Sequence, residues 1–329
     1  MATRLETQGV PAISEPAPPA QWKVLLAFGI IYFVWGSTFL AVRVGVLQVP
    51  PFLFAAMRFV LAGTILYAWL RARGTPSPAR REWASATLLA VLIFVCDYGL
   101  LFWAERRLPS GIAAVMMATI PAFMALSEIF LLGTQKLTGQ LAFALLVGIG
   151  GVGVLVSHSL GLGETAVDTL GAIALLIAAV SWSVASALTR KVPLPASKPM
   201  SSAAQMLVGG FLLTVASAAL GELRGFQIQS VSRGVWYSLA YLVVAGSILG
   251  FTAYIWLLHH ESPTKVGTYA YVNPVIAVVV GHFLGGEAVG PRTLLGTLLV
   301  LISVVVITTS RKPATPIQRA TAENCASAD

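Results

Sequence analysis

Charge is scarce in this chain. Asp, Glu, Lys and Arg make up 10% of its 329 residues, against about a quarter in a soluble domain. Hydrophobic residues make up 57%, and the mean hydropathy is +0.83. Apolar stretches of about 20 residues recur along nearly the whole length, leaving no room for an extramembrane catalytic domain. Cysteine is almost missing: Cys96 lies in an apolar run and Cys325 in a polar tail. That excludes a disulfide framework and a Cys-based metal site. The four histidines, His158, His259, His260 and His282, fall near span ends, so no metal centre and no cofactor is expected. The formal charge of +8 does not point to nucleic acid, because the basic residues sit in short connections and tails rather than on a stripe interleaved with aromatics.

What is present is a succession of apolar segments. Windows of membrane-spanning length fall at 23–45, 51–71, 84–105, 110–133, 138–158, 168–189, 199–221, 234–258, 264–285 and 290–310. They predict an all-α membrane protein of ten transmembrane helices. Residues 1–22 and 311–329 are polar and are expected to be disordered tails. The first apolar run has no short core followed by a small-residue cleavage site, so it is expected to be a retained span. With the N-terminus in the cytoplasm, fourteen Lys and Arg residues fall inside and five outside. Arg43 and Arg58 remain within spans. This bias predicts a multi-pass protein of the cytoplasmic membrane with both termini in the cytoplasm.

The chain also repeats itself. At an offset of 147, Trp35 meets Trp182, Arg43 meets Arg190, Arg58 meets Gln205 and Gly63 meets Gly210. At 153, Trp103 meets Trp256, Pro121 meets Pro274, Phe130 meets Phe283 and Gly133 meets Gly286. The halves are 23–158 and 168–310. Each carries five spans, an odd number, so the second copy is expected upside down relative to the first. In transporters built on that plan, the site lies near mid-membrane between the two repeats.

Several stretches carry a resemblance: Trp35-Gly36-Ser37-Thr38-Phe39, Met57-Arg58-Phe59, Pro109-Ser110-Gly111-Ile112-Ala113-Ala114, Tyr269-Ala270-Tyr271-Val272-Asn273-Pro274 and Leu284-Gly285-Gly286-Glu287. In order and spacing they resemble the EamA family of the drug/metabolite transporter superfamily, in its YedA-type exporter branch. The resemblance covers 23–310. It implies ten helices, a central cavity lined by both halves, more peripheral fifth and tenth helices, and export of metabolites or drugs, often amino acids or related compounds. The first half has Thr134-Gln135 where the second has Glu287.

Ionisable groups inside spans are functional candidates, because each costs about 2.5–3.5 kcal/mol on insertion scales. Arg58 and Asp97 fall at similar depth and their repeat counterparts are Gln205 and Gly250, so both charges are absent together from the second half. An Arg58–Asp97 ion pair is expected, either holding two helices or opening to a zwitterionic substrate. Glu128, in the fourth span, and Asp97 are the proton-coupling candidates. Trp35, Ser37, Trp182, Gln205, Tyr271 and Asn273 complete the expected cavity, with Pro121 and Pro274 as hinges or fixed bends. Trp103 and Trp256 read as interface anchors. The glycine run from Gly148 to Gly153 is a close-contact face, which alone does not support a homodimer.

The function expected is secondary active transport of a small-molecule substrate out of the cell, driven by proton antiport, with the lipid bilayer as the surroundings. An exchanger of phosphorylated metabolites would want more cavity cations than Arg58 and Arg43. An intramembrane enzyme would want a nucleophile with a base, and Ser37 has none in sequence reach.

Overall fold

The computed structural model describes residues 20–133, 136–156, 168–261, 266–267 and 269–309. These residues are helical, with no strand among them. In chain order the helices are α1 (Gln21–Val46), α2 (Pro51–Ala72), α3 (Arg80–Glu105), α4 (Ser110–Leu132), α5 (Gly139–Val156), α6 (Thr169–Leu188), α7 (Lys198–Ala219), α8 (Arg233–His260), α9 (Tyr269–Gly285) and α10 (Pro291–Thr309). Seven of them, α1 to α4 and α6 to α8, are long and apolar enough to cross a membrane, whereas the apolar described stretches of α5, α9 and α10 are shorter. The helix α1 begins two residues before the expected span. The expected tails lie outside the described residues apart from Ala20, Gln21 and Trp22. Thr134, Gln135 and His158 also lie outside them.

Local chemistry fixes the helix ends. Pro51 opens α2, where its missing N–H needs no partner and its fixed φ suits the first turn. Gly133 and Gly286, one of the repeat pairs, follow α4 and α9 with φ of 64° and 66°. A left-handed residue there stops each helix without a Cβ clash. Four stretches relax into π-helical turns: 30–34 in α1, 91–99 in α3, 128–132 in α4 and 242–249 in α8. The stretches in α3 and α8 occupy corresponding places in the two halves.

Helix neighbours follow the repeat. Helix α1 packs against α8 and α9, and its counterpart α6 packs against α3 and α4; α2 packs on α7, and α5 on α10. Exchanging the halves therefore preserves these contacts. The match extends to single residues. A Cβ on Gly63 would lie 2.7 Å from the Leu207 nitrogen, and one on Gly210 would lie 2.6 Å from the Val60 nitrogen. Residues 60 and 207 are themselves 147 apart. In a bilayer, such backbone contact replaces the hydrophobic drive that is missing between helices. Gly148 and Gly151 likewise face Ser303 and Leu299 of α10, so this part of the glycine run serves a contact within the chain.

A stability prediction follows. Because the obstructing atoms are backbone, Gly63→Ala and Gly210→Ala each force α2 and α7 apart and should cost about 1–3 kcal/mol, the range for overpacking. Thermal unfolding in detergent should show lowered midpoints of similar size for both. A fall for one and none for the other would break the reciprocity.

Candidate substrate cavity

A cavity of about 60 Å³ lies where the halves meet. Its walls come from α1, α2, α3, α4, α6 and α9. Every lining residue is buried. The volume holds a few waters and falls well below the roughly 300–1,000 Å³ of ligand pockets. At this volume the walls must part to admit an organic molecule.

Of the expected cavity residues, Trp35, Arg58, Asp97, Trp182 and Asn273 line it, together with Pro274. The repeat-related Trp35 and Trp182 meet edge to face, with ring centroids 5.6 Å apart. Tyr254 lies 5.2 Å from Trp35 and 5.0 Å from Trp182, and Tyr269 lies 5.3 Å from Trp35. Of these four rings, those of Trp35, Trp182 and Tyr269 line the cavity. Such pairs contribute about 0.5–1.5 kcal/mol each beyond their buried area. The Trp35 indole donates to the Gly246 carbonyl at 3.0 Å, within the π stretch of α8. The Trp182 indole N–H makes no hydrogen bond of good geometry, although the Tyr254 and Tyr269 hydroxyls lie near it.

The expected Arg58–Asp97 ion pair is not formed. Among the described residues the salt bridge within 4 Å is Arg107–Asp168. The Arg58 Nε instead donates to Ser247 Oγ at 2.7 Å. Its guanidinium lies 4.7, 5.0 and 5.9 Å from the rings of Phe59, Tyr98 and Phe102. On the π-helical stretch of α3 it is Tyr98, next to Asp97, whose ring lies against Arg58. Asp97 is 1% exposed, and its Oδ1 makes no hydrogen bond.

Ser37, Gln205 and Glu128 are not among the lining residues. Ser37 bonds the Phe33 and Val34 carbonyls and the Tyr241 hydroxyl at 2.6 Å. Gln205 is fully buried and donates to Ser201 Oγ at 3.1 Å. Glu128 is buried near the far end of α4. The side chain of Tyr271 lies outside the described residues. Asn273, with its amide nitrogen toward the carbonyls, reaches Tyr32 O at 2.8 Å and Tyr269 O at 3.2 Å. Just before Pro121, the α-helical turns of α4 are interrupted at Ala118 and Thr119. Pro274 sits within a continuous helix.

Sequence reading passed over Glu105. It ends α3 and precedes Arg106-Arg107. In the structure it is fully buried, lines the cavity, and neither carboxylate oxygen makes a hydrogen bond. The available signal was its spacing, since 97, 101 and 105 share one helical stripe. Arg43 does not bond the Glu105 side chain. It donates to the backbone carbonyls of Glu105 and of Leu108, the latter at 2.9 Å, satisfying orphan acceptors at the end of α3.

At that end of the bundle, polar bonds join the halves. Glu287 accepts from Ser110 N at 2.9 Å, Ser110 Oγ at 2.8 Å and Gly111 N at 3.2 Å, capping α4. Glu222 accepts from Phe52 N at 3.3 Å and Leu53 N at 2.9 Å, capping α2. Gln48 Oε1 accepts from Ser232 N at 2.9 Å. Arg107 meets Asp168 at 2.9 Å, and that hydrogen bond holds the Asp168 carboxyl below its usual range.

A bundle of membrane-length helices around a buried-residue-lined cavity, with buried charges that face it without ion pairs, defines a membrane transport protein. The profile of the EamA-like transporter family matches residues 14–157 and again 169–309, and the chain belongs to that family. It is 35% identical over 291 residues to a protein named the uncharacterized inner membrane transporter YedA of Escherichia coli (strain K12), covering 87% of this chain and 92% of that one. It is 25% identical to the uncharacterized transporter YvbV of Bacillus subtilis (strain 168), covering 90% and 94% of the two chains. A solved crystal structure shares the fold, with a TM-score of 0.62 at 21% identity, covering 87% of this chain and 96% of that one.

Proposed function

We propose that the chain is a ten-span, inverted-repeat exporter of small amino-bearing organic molecules in the cytoplasmic membrane, working by alternating access and proton antiport. Both termini are cytoplasmic in this reading, and the end of the bundle where α1 and α3 finish faces outward. The observation that carries the reading is the cavity between the halves. It sets an acceptor without a partner, Asp97 Oδ1, and the Trp182 indole beside aromatic rings. A carboxylate amid aromatic faces favours an ammonium group on a flat apolar body, and Arg58 offers charge for a carboxylate. Amino acids and aromatic amines fit this chemistry.

Rocking one repeat against the other would open the cavity to each side in turn, with the interruption in α4 before Pro121 and the bend at Pro274 as hinges. Asp97 contacts substrate in this scheme, and Glu128 is the second proton-coupling candidate named from sequence. The duplicated family match and the reciprocal contacts of Gly63 and Gly210 support the inverted repeat.

The test is uptake into proteoliposomes of radiolabelled phenylalanine, phenethylamine and a sugar phosphate, with and without a pH gradient. Accumulation of the amino-bearing compounds that collapses when the gradient is dissipated is the expected result. Movement of the sugar phosphate alone would overturn the reading.

A further inference from the structure

We propose that Glu105 carries the coupling proton and that its protonation is what allows the outer end of the cavity to close. The inference rests on the transport reading above and adds the group through which protons would act. Three observations place it. Glu105 is fully buried with both carboxylate oxygens free of hydrogen bonds. It lines the same cavity as Asp97, two helical turns along one stripe of α3. Arg43 donates to the backbone carbonyls of Glu105 and Leu108 and not to the Glu105 carboxylate. The charged groups acting on Glu105 from neighbouring elements are Arg43 of α1, Glu287 after α9 and Arg58 of α2.

A carboxylate enclosed without donors is strongly disfavoured, whereas a neutral carboxyl is tolerated. Closing the outer end therefore selects the protonated form. In the outward-open state Glu105 meets water and ionises. A proton from the outer solution adds to one carboxylate oxygen, the charge disappears and the end closes. On the cytoplasmic side, arrival of the substrate ammonium beside Asp97 favours the ionised stripe. The O–H bond of Glu105 breaks and the proton passes to water, so one positive charge leaves the site as another enters. Asp97 holds substrate in this sequence and Glu105 gates it.

Two readouts test this. Infrared spectra of the purified protein over a pH series report the protonated-carboxyl C=O band. The wild type should show it at neutral pH, and Glu105→Gln should lack one component. Superimposable wild-type and variant bands at every pH would overturn the proposal whatever the substrate. In proteoliposomes, Glu105→Gln should still exchange phenethylamine across the membrane at equal concentrations, yet lose accumulation driven by a pH gradient, with a flattened pH profile. A variant that accumulates like wild type, or that loses exchange as well, would also overturn it. Should the amide variant not fold, Glu105→Asp retains an ionisable group: its carboxyl band should move along the pH axis and gradient-driven accumulation should persist, and an unmoved band would count against the assignment. If wild type does not move phenethylamine, the substrate reading fails while the infrared result still decides the proton on Glu105.

Discussion

Replacing Asp97 with Asn should leave the protein folded and reduce transport of amine-bearing compounds by about 30-fold or more. The side chains have nearly the same shape, and an amide is easier to bury than an unpaired carboxylate, so thermal unfolding should be unchanged or slightly raised. Transport is a different matter. Losing one partner of a desolvated charged contact costs about 2–5 kcal/mol, and each 1.4 kcal/mol is about tenfold in affinity. The lack of an Arg58–Asp97 bond makes the result diagnostic. Were Asp97 a structural counter-ion, Asn would strand Arg58 and lower the melting temperature. Instead Arg58 has Ser247 Oγ at 2.7 Å and three aromatic rings around it, so it keeps its surroundings when Asp97 is neutralised. Equal transport by both proteins, with a large fall in melting temperature, would assign Asp97 to scaffolding.

The sequence was most legible where physical constraint is strongest. A bilayer requires long apolar helices, and the seven shown here fall on expected windows with ends shifted by a few residues. The positions that carry the repeat, Trp35 with Trp182 and Gly63 with Gly210, are those where the halves touch, and contact restricts what can stand there. The site was only partly readable. Depth along a helix can be counted from sequence, which placed Arg58 and Asp97 near one level. Azimuth cannot be counted as well where π turns alter the register, and α3 carries such turns from Val91 to Gly99. That is the stretch on which Asp97 and Tyr98 exchange roles as the neighbour of Arg58. Glu105 was missed for a related reason: a carboxylate beside two arginines at a span end looks hydrated until the neighbouring helices are seen to cover it. Ser37, expected in the cavity, instead turns its hydroxyl toward Tyr241 of α8.

Removing the Glu287 carboxylate should unlock the outer end of the cavity. Its three bonds to Ser110 and Gly111 join the end of α9, in the second half, to the start of α4, in the first. A carboxylate at a helix N-terminus also meets the positive end of the helix dipole. Each buried donor left unsatisfied costs about 1–3 kcal/mol, so Glu287→Ala, which strands the Ser110 and Gly111 amides, should weaken the closed state enough to change which state dominates. Glu222 ties α7 to α2 in the same way, and both carboxylates act at one end of the bundle. The repeat-related sequence positions are Thr75 and Thr134, neither of which bears a charge. If one repeat rocks against the other as proposed, these carboxylate bonds bias the protein toward closure at their end. Access can be read from a cysteine at Leu101, a cavity residue, in a background with Cys96 and Cys325 replaced by Ser. A membrane-impermeant maleimide added outside should label Leu101→Cys slowly, and at least tenfold faster once Glu287→Ala is added, since losing about 1.4 kcal/mol is a tenfold shift in population. Glu222→Ala should act in the same direction, with a smaller effect because it removes two bonds rather than three. Faster labelling from the cytoplasmic side, with none from outside, would place these locks at the inner face and reverse the orientation assigned to the bundle.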